Sequence, residues 1–226
     1  GNVVLVNTAT EGFDFLIDIE QFNFADTGIY GINSVGDRNP FDYLASHTDL
    51  ITALGPDTTA AINHFYTNGF TEGRSVDAFD EWSYLASNTD LITAFGGNAS
   101  LGAAHYVYSG FTEGRATDTF DEWSYLASNT HLLSASPSDP LWTGHPYLGQ
   151  QATMHYVSTG FGGGLPTDTF DEWSYLASNG DLITAFGGNA SIGTVHYVQT
   201  GFGEGRATDT FDEWSYLASN ADLITA

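Results

Sequence analysis

The chain has 226 residues, with 28 acidic side chains set against four Arg and no Lys, a formal charge of -24 and no Cys. That balance excludes nucleic acid and anionic lipid surfaces as partners and attracts cations, while the missing thiols exclude disulfides and thiolate metal centres. No apolar run reaches the length of a membrane helix, the first residues lack a secretory leader's basic end and apolar centre, and the 15% aromatic content argues for a packed core.

Residues 1–40 are predicted to form a β-rich cap. Val3-Val4-Leu5-Val6 and Phe13 to Glu20 read as short strands, the second alternating Phe13, Phe15, Ile17 and Ile19 with a mainly acidic face. Phe22 and Phe24 continue that parity, and Gly28 to Pro40 reads as a turn-forming hand-over.

Residues 41–226 are a repeat. Phe120-Asp121-Glu122-Trp123-Ser124-Tyr125-Leu126-Ala127-Ser128-Asn129 recurs from Phe79, Phe170 and Phe211, with a shortened version from Phe41. The Tyr of each Tyr-Leu-Ala-Ser stands at 43, 84, 125, 175 and 216, in steps of 41, 41, 50 and 41, so one copy carries nine extra residues. Such a period predicts stacked units, none able to bury its apolar face alone. The expected fold is mainly α: an array of about four and a half three-helix repeats of 41 residues starting near 41, 79, 120, 170 and 211, behind a short N-terminal β segment. The last copy stops before its His-Tyr segment, which reads as a piece cut from something longer.

Within a copy, Thr119-x-x-Glu122, Thr169-x-x-Glu172 and Thr210-x-x-Glu213 read as capping boxes opening the first helix. Trp123 and Leu126 are expected on one face with Tyr125 beside it, and Asn129 as stop and restart. The second helix carries Leu91, Ile92 and Phe95 and ends at Gly96-Gly97. Asn98 is expected to cap a third, Ala99 to Ser109, with Leu101, Ala104, His105 and Tyr108 as its marked positions. The loop Gly110-Phe111-Thr112-Glu113-Gly114-Arg115 recurs at 69–74 and 201–206, whereas the third copy reads Gly160-Phe161-Gly162-Gly163-Gly164-Leu165. Loss of Glu and Arg together suggests that the two interact, the Arg pairing with acidic groups near a helix start.

The combination of His-Tyr, Gly-Phe, Glu-Gly-Arg, Phe-Asp and Tyr-Leu-Ala-Ser-Asn resembles a repeat of large secreted bacterial proteins that accompanies hemolysin-type (RTX) calcium-binding segments. Residues 11–26 resemble the strand-rich segment that follows the RTX nonapeptides in serralysin-type proteins. The resemblance implies a secreted or cell-surface, calcium-dependent protein exported by a type I channel. No Gly-Gly-x-Gly-x-Asp nonapeptide occurs, so that family's β-roll calcium sites carry over to no residue here.

Asp118, Asp121 and Glu122, with Asp168, Asp171 and Glu172 and then Asp209, Asp212 and Glu213 at equivalent positions, offer hard oxygen ligands suited to calcium. The competing reading is that they complement the helix dipole and cap the first turn. Asp14, Asp18, Glu20 and Asp26 are a second possible calcium surface, against strand-edge solvation. His64, His105, His155 and His196 recur beside an aromatic, which favours packing at an interface, hydrogen-bonded to a backbone carbonyl, over a metal array. The third copy departs most: His131 stands where other copies have Asp, and the insert 134–147 carries Trp142, His145 and Tyr147. His131, His145 and His155 could hold a transition metal, and Trp142 with Tyr147 could stack on a sugar, against a surface insertion folded over its own apolar groups. No nucleophile elbow, zinc-protease helix, phosphate loop or dinucleotide fingerprint occurs. The expected function is therefore a non-catalytic, adhesion-type structural or interaction module, calcium-bound, meeting an extracellular protein or polysaccharide surface, with no nucleic acid partner and no membrane insertion. The alternative is a metal-dependent enzyme or carbohydrate site on the third copy.

Overall fold

The computed structural model describes residues 38–134 and 148–224, and before them the backbone of four short strands. Strand β1 (Val3–Thr8) pairs antiparallel with β2 (Gly12–Ile17), and β3 (Phe22–Phe24) with β4 (Gly28–Tyr30). Strand β4 begins where a turn was expected, because Gly28 to Tyr30 finds partners in Phe24 to Phe22. The chain divides into two compact units, Gly1–Thr119 and Phe120–Ala226. From residue 38 on, the described chain is mainly helical.

In the first unit, α1 (Pro40–Ala45), α2 (Thr48–Leu54) and α3 (Thr58–His64) are followed by α4 (Glu81–Ser87), α5 (Thr89–Phe95), α6 (Ala99–His105) and the single turn α7 (Phe111–Glu113). In the second, α8 (Glu122–Ser128), α9 (Thr130–Leu133) and α10 (Leu148–His155) precede α11 (Glu172–Ser178), α12 (Gly180–Phe186), α13 (Ala190–His196), α14 (Phe202–Glu204) and α15 (Glu213–Ser219). Helices of this length are marginal alone, so packing must hold them.

The first helix of each copy after the first is capped by Asp, and not by the Thr expected at 119, 169 and 210. Asp121 accepts from the backbone amides of Trp123 and Ser124, and Asp80, Asp171 and Asp212 accept from the amides of Ser83, Ser174 and Ser215. Thr119, Thr169 and Thr210 lie two residues outside, where their own amides donate to Ser87, Ser128 and Ser178 of the preceding first helix at 2.8 Å. Asn39 does the capping for α1, with Pro40 at the first helical position. As expected, Asn88 and Asn129 each end one helix and begin the next, and Gly96 closes α5 in the left-handed conformation at φ 59°.

The core repeats with the sequence. Tyr43, Tyr84, Tyr125 and Tyr175 are each 0% exposed, and the Leu after each Tyr is 2% exposed or less. Burying one such Leu is worth about 1.5–3 kcal/mol. In the third helix and the turn after it Gly102, Ala103, Tyr106 and Val107 are buried, while Leu101 and Tyr108 are exposed. The reason is close approach, since a Cβ at Gly102 would sit 3.4 Å from Cγ of Leu85, and one at Gly193 3.0 Å from Cδ2 of Leu176. Small residues let the third helix lean on the first, and larger ones are turned out.

After each third helix the backbone widens into a π-helical turn, at Phe65–Gly69, Tyr106–Gly110, Tyr156–Gly160 and Tyr197–Gly201. The closing amide comes from Phe70, Phe111, Phe161 or Phe202 and bonds the carbonyl five residues back. The glycine ending each turn lies against the hydroxyl of its copy's buried Tyr, where a Cβ would overlap the oxygen. Gly110→Ala is therefore expected to destabilise the protein by about 1–3 kcal/mol. Gly203→Ala, with nothing within 4 Å of its added Cβ, should be neutral or slightly stabilising. Urea denaturation of the two variants checks the contrast.

Candidate functional site

The recurring polar residues meet at the joints within and between copies. Each buried Tyr hydroxyl lies 2.7–2.9 Å from Nδ1 of a histidine: Tyr43 with His64, Tyr84 with His105, Tyr125 with His155, and Tyr175 with His196. The recurrent histidine thus bonds a side chain, where a backbone carbonyl was expected. A phenol with no water needs such a partner, because leaving it unsatisfied costs about 1–3 kcal/mol. Burial pushes the Tyr43 and Tyr175 phenols up to about 12, and those of Tyr84 and Tyr125 also rise for that reason. The hydroxyls stay neutral. Around the last three locks the rings stack: Phe79 on Tyr106 at 4.7 Å, Phe120 on Tyr156 and Phe170 on Tyr197 at 4.6 Å.

The Ser and Asn that follow tie the returning chain. Ser46 Oγ accepts from the amides of Ala78 and Phe79, Ser128 from Thr169 and Phe170, and Ser178 from Thr210 and Phe211. Asn88 Nδ2 donates to the carbonyls of Tyr84 and Ala116, Asn129 to Tyr125 and Pro166, and Asn179 to Tyr175 and Ala207. In the first copy His47 stands at that position and its Nε2 lies 2.9 Å from the Ser75 carbonyl.

The expected pairing of Glu and Arg is present, and Asp completes a trio. Arg74 bonds Glu72 at 2.6 Å and both oxygens of Asp49, in the first turn of α2; Arg115 does so with Glu113 and Asp90, and Arg206 with Glu204 and Asp181. The arginine hydrogen bonds hold the Asp49 and Asp181 carboxyls below the usual range. In the third copy all three members change together, to Gly163, Leu165 and His131. The loop backbone is nevertheless the same: the amide of Leu165 bonds the Gly160 carbonyl at 2.9 Å as that of Arg115 bonds Gly110 at 3.0 Å, and Gly164 keeps φ at 66°.

These joints account for several candidate ligands. His155 has its Nδ1 on Tyr125, and His131 sits exposed on α9 at the position of the vacated Asp. His145, Trp142 and Tyr147 lie outside the described residues, as do the side chains of Asp14, Asp18, Glu20 and Asp26. Asp121 and Asp171 serve as helix caps, which is the competing reading offered for them; Asp118 and Asp168 are exposed in the preceding turns, Glu172 is half-buried, and the carboxylate of Glu122 lies against Gly149. Asp212 caps too, and the amide and hydroxyl of Ser215 lower its pKa. Among the described residues neither Asp118, Asp121 and Glu122 nor Asp168, Asp171 and Glu172 gather at one point. Among the described residues, three carboxylates gather only at Asp42, Asp77 and Glu81, whose oxygens lie within 4.8 Å of one another, with the guanidinium of Arg38 3.3 Å from Asp77. Asp42 was hidden by its copy's shortened motif, although it alone replaces the Ser found before the buried Tyr elsewhere.

No family model, curated protein or solved structure matches the chain. Among the described residues no helix is long and apolar enough to cross a membrane.

The two kinds of joint should differ sharply in energy. Asn129 is 3% exposed, and Asn129→Ala strips donors from two carbonyls, an expected loss of about 1–3 kcal/mol. Arg115→Leu removes only exposed ion pairs and should lower the melting temperature slightly, with the difference vanishing in high salt. Thermal melts of both variants at two ionic strengths measure this.

Proposed function

We propose that the chain is a non-catalytic, extracellular structural or interaction module of the adhesion type, from a secreted or cell-surface calcium-dependent bacterial protein exported by a type I route. The observation that carries this reading is how the recurring residues are used. Tyr, His, Ser, Asn and the π-turn Gly of the described copies are occupied in bonds and close contacts that hold a copy's own helices and returning chain together. On the outside are acidic and aromatic groups: Asp118 and Asp168 are exposed, and of the repeated Trp, Trp82 and Trp123 are half-buried while Trp173 and Trp214 are 61% and 83% exposed. A stiff array with such a surface suits display to a protein or polysaccharide. The resemblance of the repeat and of residues 11–26 to RTX-associated segments supports the secreted setting. In this proposal about four and a half repeats stack behind the N-terminal β segment, which caps the first.

Calcium has a physical role here. With 28 carboxylates against four Arg, copies that stack bring like charges together, and a divalent cation lowers that repulsion. The full chain is expected to carry calcium by elemental analysis and to melt several degrees lower in chelator. Unchanged melting in chelator would remove calcium from the account. Retention on immobilised extracellular polysaccharide or matrix protein, abolished by Trp173→Ala with Trp214→Ala, is the corresponding result for display.

A further inference from the structure

One position departs from the pattern at the first joint. The residue before the Tyr of Tyr-Leu-Ala-Ser is Ser83, Ser124, Ser174 and Ser215 in four copies, but Asp42 in the first. In the second unit Ser174, on α11, donates its hydroxyl to Glu213 Oε1 on α15 at 3.3 Å. A neutral donor on one first helix thus meets a carboxylate on the next. Asp42 on α1 faces the equivalent Glu81 on α4, with Asp77 beside both. A carboxylate has no proton to donate, so the contact can be a bond only if one of the two acids is protonated.

We propose that Asp42 and Glu81 share one proton, and that this proton is the bond between α1 and α4, so that the first joint is tight at acidic pH and loosens toward neutrality. The surroundings favour the shared proton. Both carboxyls are half-buried, and Arg38, the cation beside them, pairs with Asp77. Helix α6 faces Glu81 with Gly102, which carries no charge, and His64 on α3 and His105 on α6 are bonded to Tyr43 and Tyr84. Asp80, the α4 cap, adds a further negative charge. Burial pushes Glu81 up to about 7, against its own backbone hydrogen bond, with Asp42, Asp77 and Asp80 adding to the rise. Burial and then Asp77 raise Asp42, opposed by the Asn39 backbone, Arg38 and its hydrogen bond with Glu81.

The sign follows from linkage. A carboxyl whose folded pKa is raised binds more protons folded than unfolded, so its stabilising contribution is full below the ordinary glutamate value of 4.5 and is lost as pH rises through about 7. The Asp49 and Asp181 carboxyls, shifted downward by arginine, act only below their ordinary 3.8 and leave this window clear. The inference stands apart from the proposed function, since a shared proton needs no partner.

The test is a pH series of melting temperatures on the full chain in chelator, between about pH 5 and about pH 8, with carboxyl carbon NMR titrations. Wild type should lose several degrees across that range and show one carboxyl titrating near neutrality. Asp42→Ser restores the neutral donor of the other copies, and should flatten the profile and return Glu81 toward ordinary glutamate behaviour. Glu81→Gln provides a second variant with the same expected flattening, should the first not fold. Ordinary titration of both carboxyls in wild type, or an unflattened profile in the variants, would overturn the proposal.

Discussion

Four tyrosines with no exposed surface impose the central constraint on this chain. A phenol is large enough to fill a three-helix joint and carries one group that must be satisfied there, so its position fixes where a partner must stand. The histidine at the end of the third helix is that partner. The π-helical turn that follows brings a glycine over the same oxygen, and no side chain would fit between. First helix, third helix and turn are thereby located by one oxygen atom.

The third copy separates what the joint needs from what it tolerates. Tyr and His are 21 residues apart in three copies and 30 in the third, yet the third bond is 2.7 Å, as short as any. The nine extra residues between Tyr125 and His155 leave the lock untouched. The charged trio of Asp, Glu and Arg is dispensable in that copy, where the loop backbone closes in the same way around Gly163 and Leu165. Exposed ion pairs decorate this joint, and buried hydrogen bonds define it.

Much of this was legible in the sequence, and the rest depended on contacts that local pattern does not show. The restart at Asn129, the glycine stop at Gly96 and the pairing of Glu113 with Arg115 follow from short-range chemistry. The cap moved from Thr119 to Asp121 because both are good caps locally; the amide of Thr119 is drawn instead to Ser87, 32 residues earlier. The inward face of the third helix was not legible, because Gly102 and Ala103 look unimportant beside Leu101 and Tyr108 until Leu85 is seen packed against Gly102. The Tyr and His pairing did leave a signal, a constant separation in three copies interrupted only by the insert. The role of His131 left one as well, since Asp, Glu and Arg are lost together.

The recurring polar groups are turned inward to hold each copy's own helices together, which leaves exposed carboxylates and tryptophans for cations and partners, and the function proposed rests on that division. It stands or falls with the Tyr and His lock. The most direct measurement is a double-mutant cycle in the full chain, Tyr84→Phe and His105→Ala singly and together, read by urea denaturation. A coupling of about 1 kcal/mol or more between the two sites is the predicted result. Additive losses would show that the two side chains only pack side by side, and that the joint is set by something else.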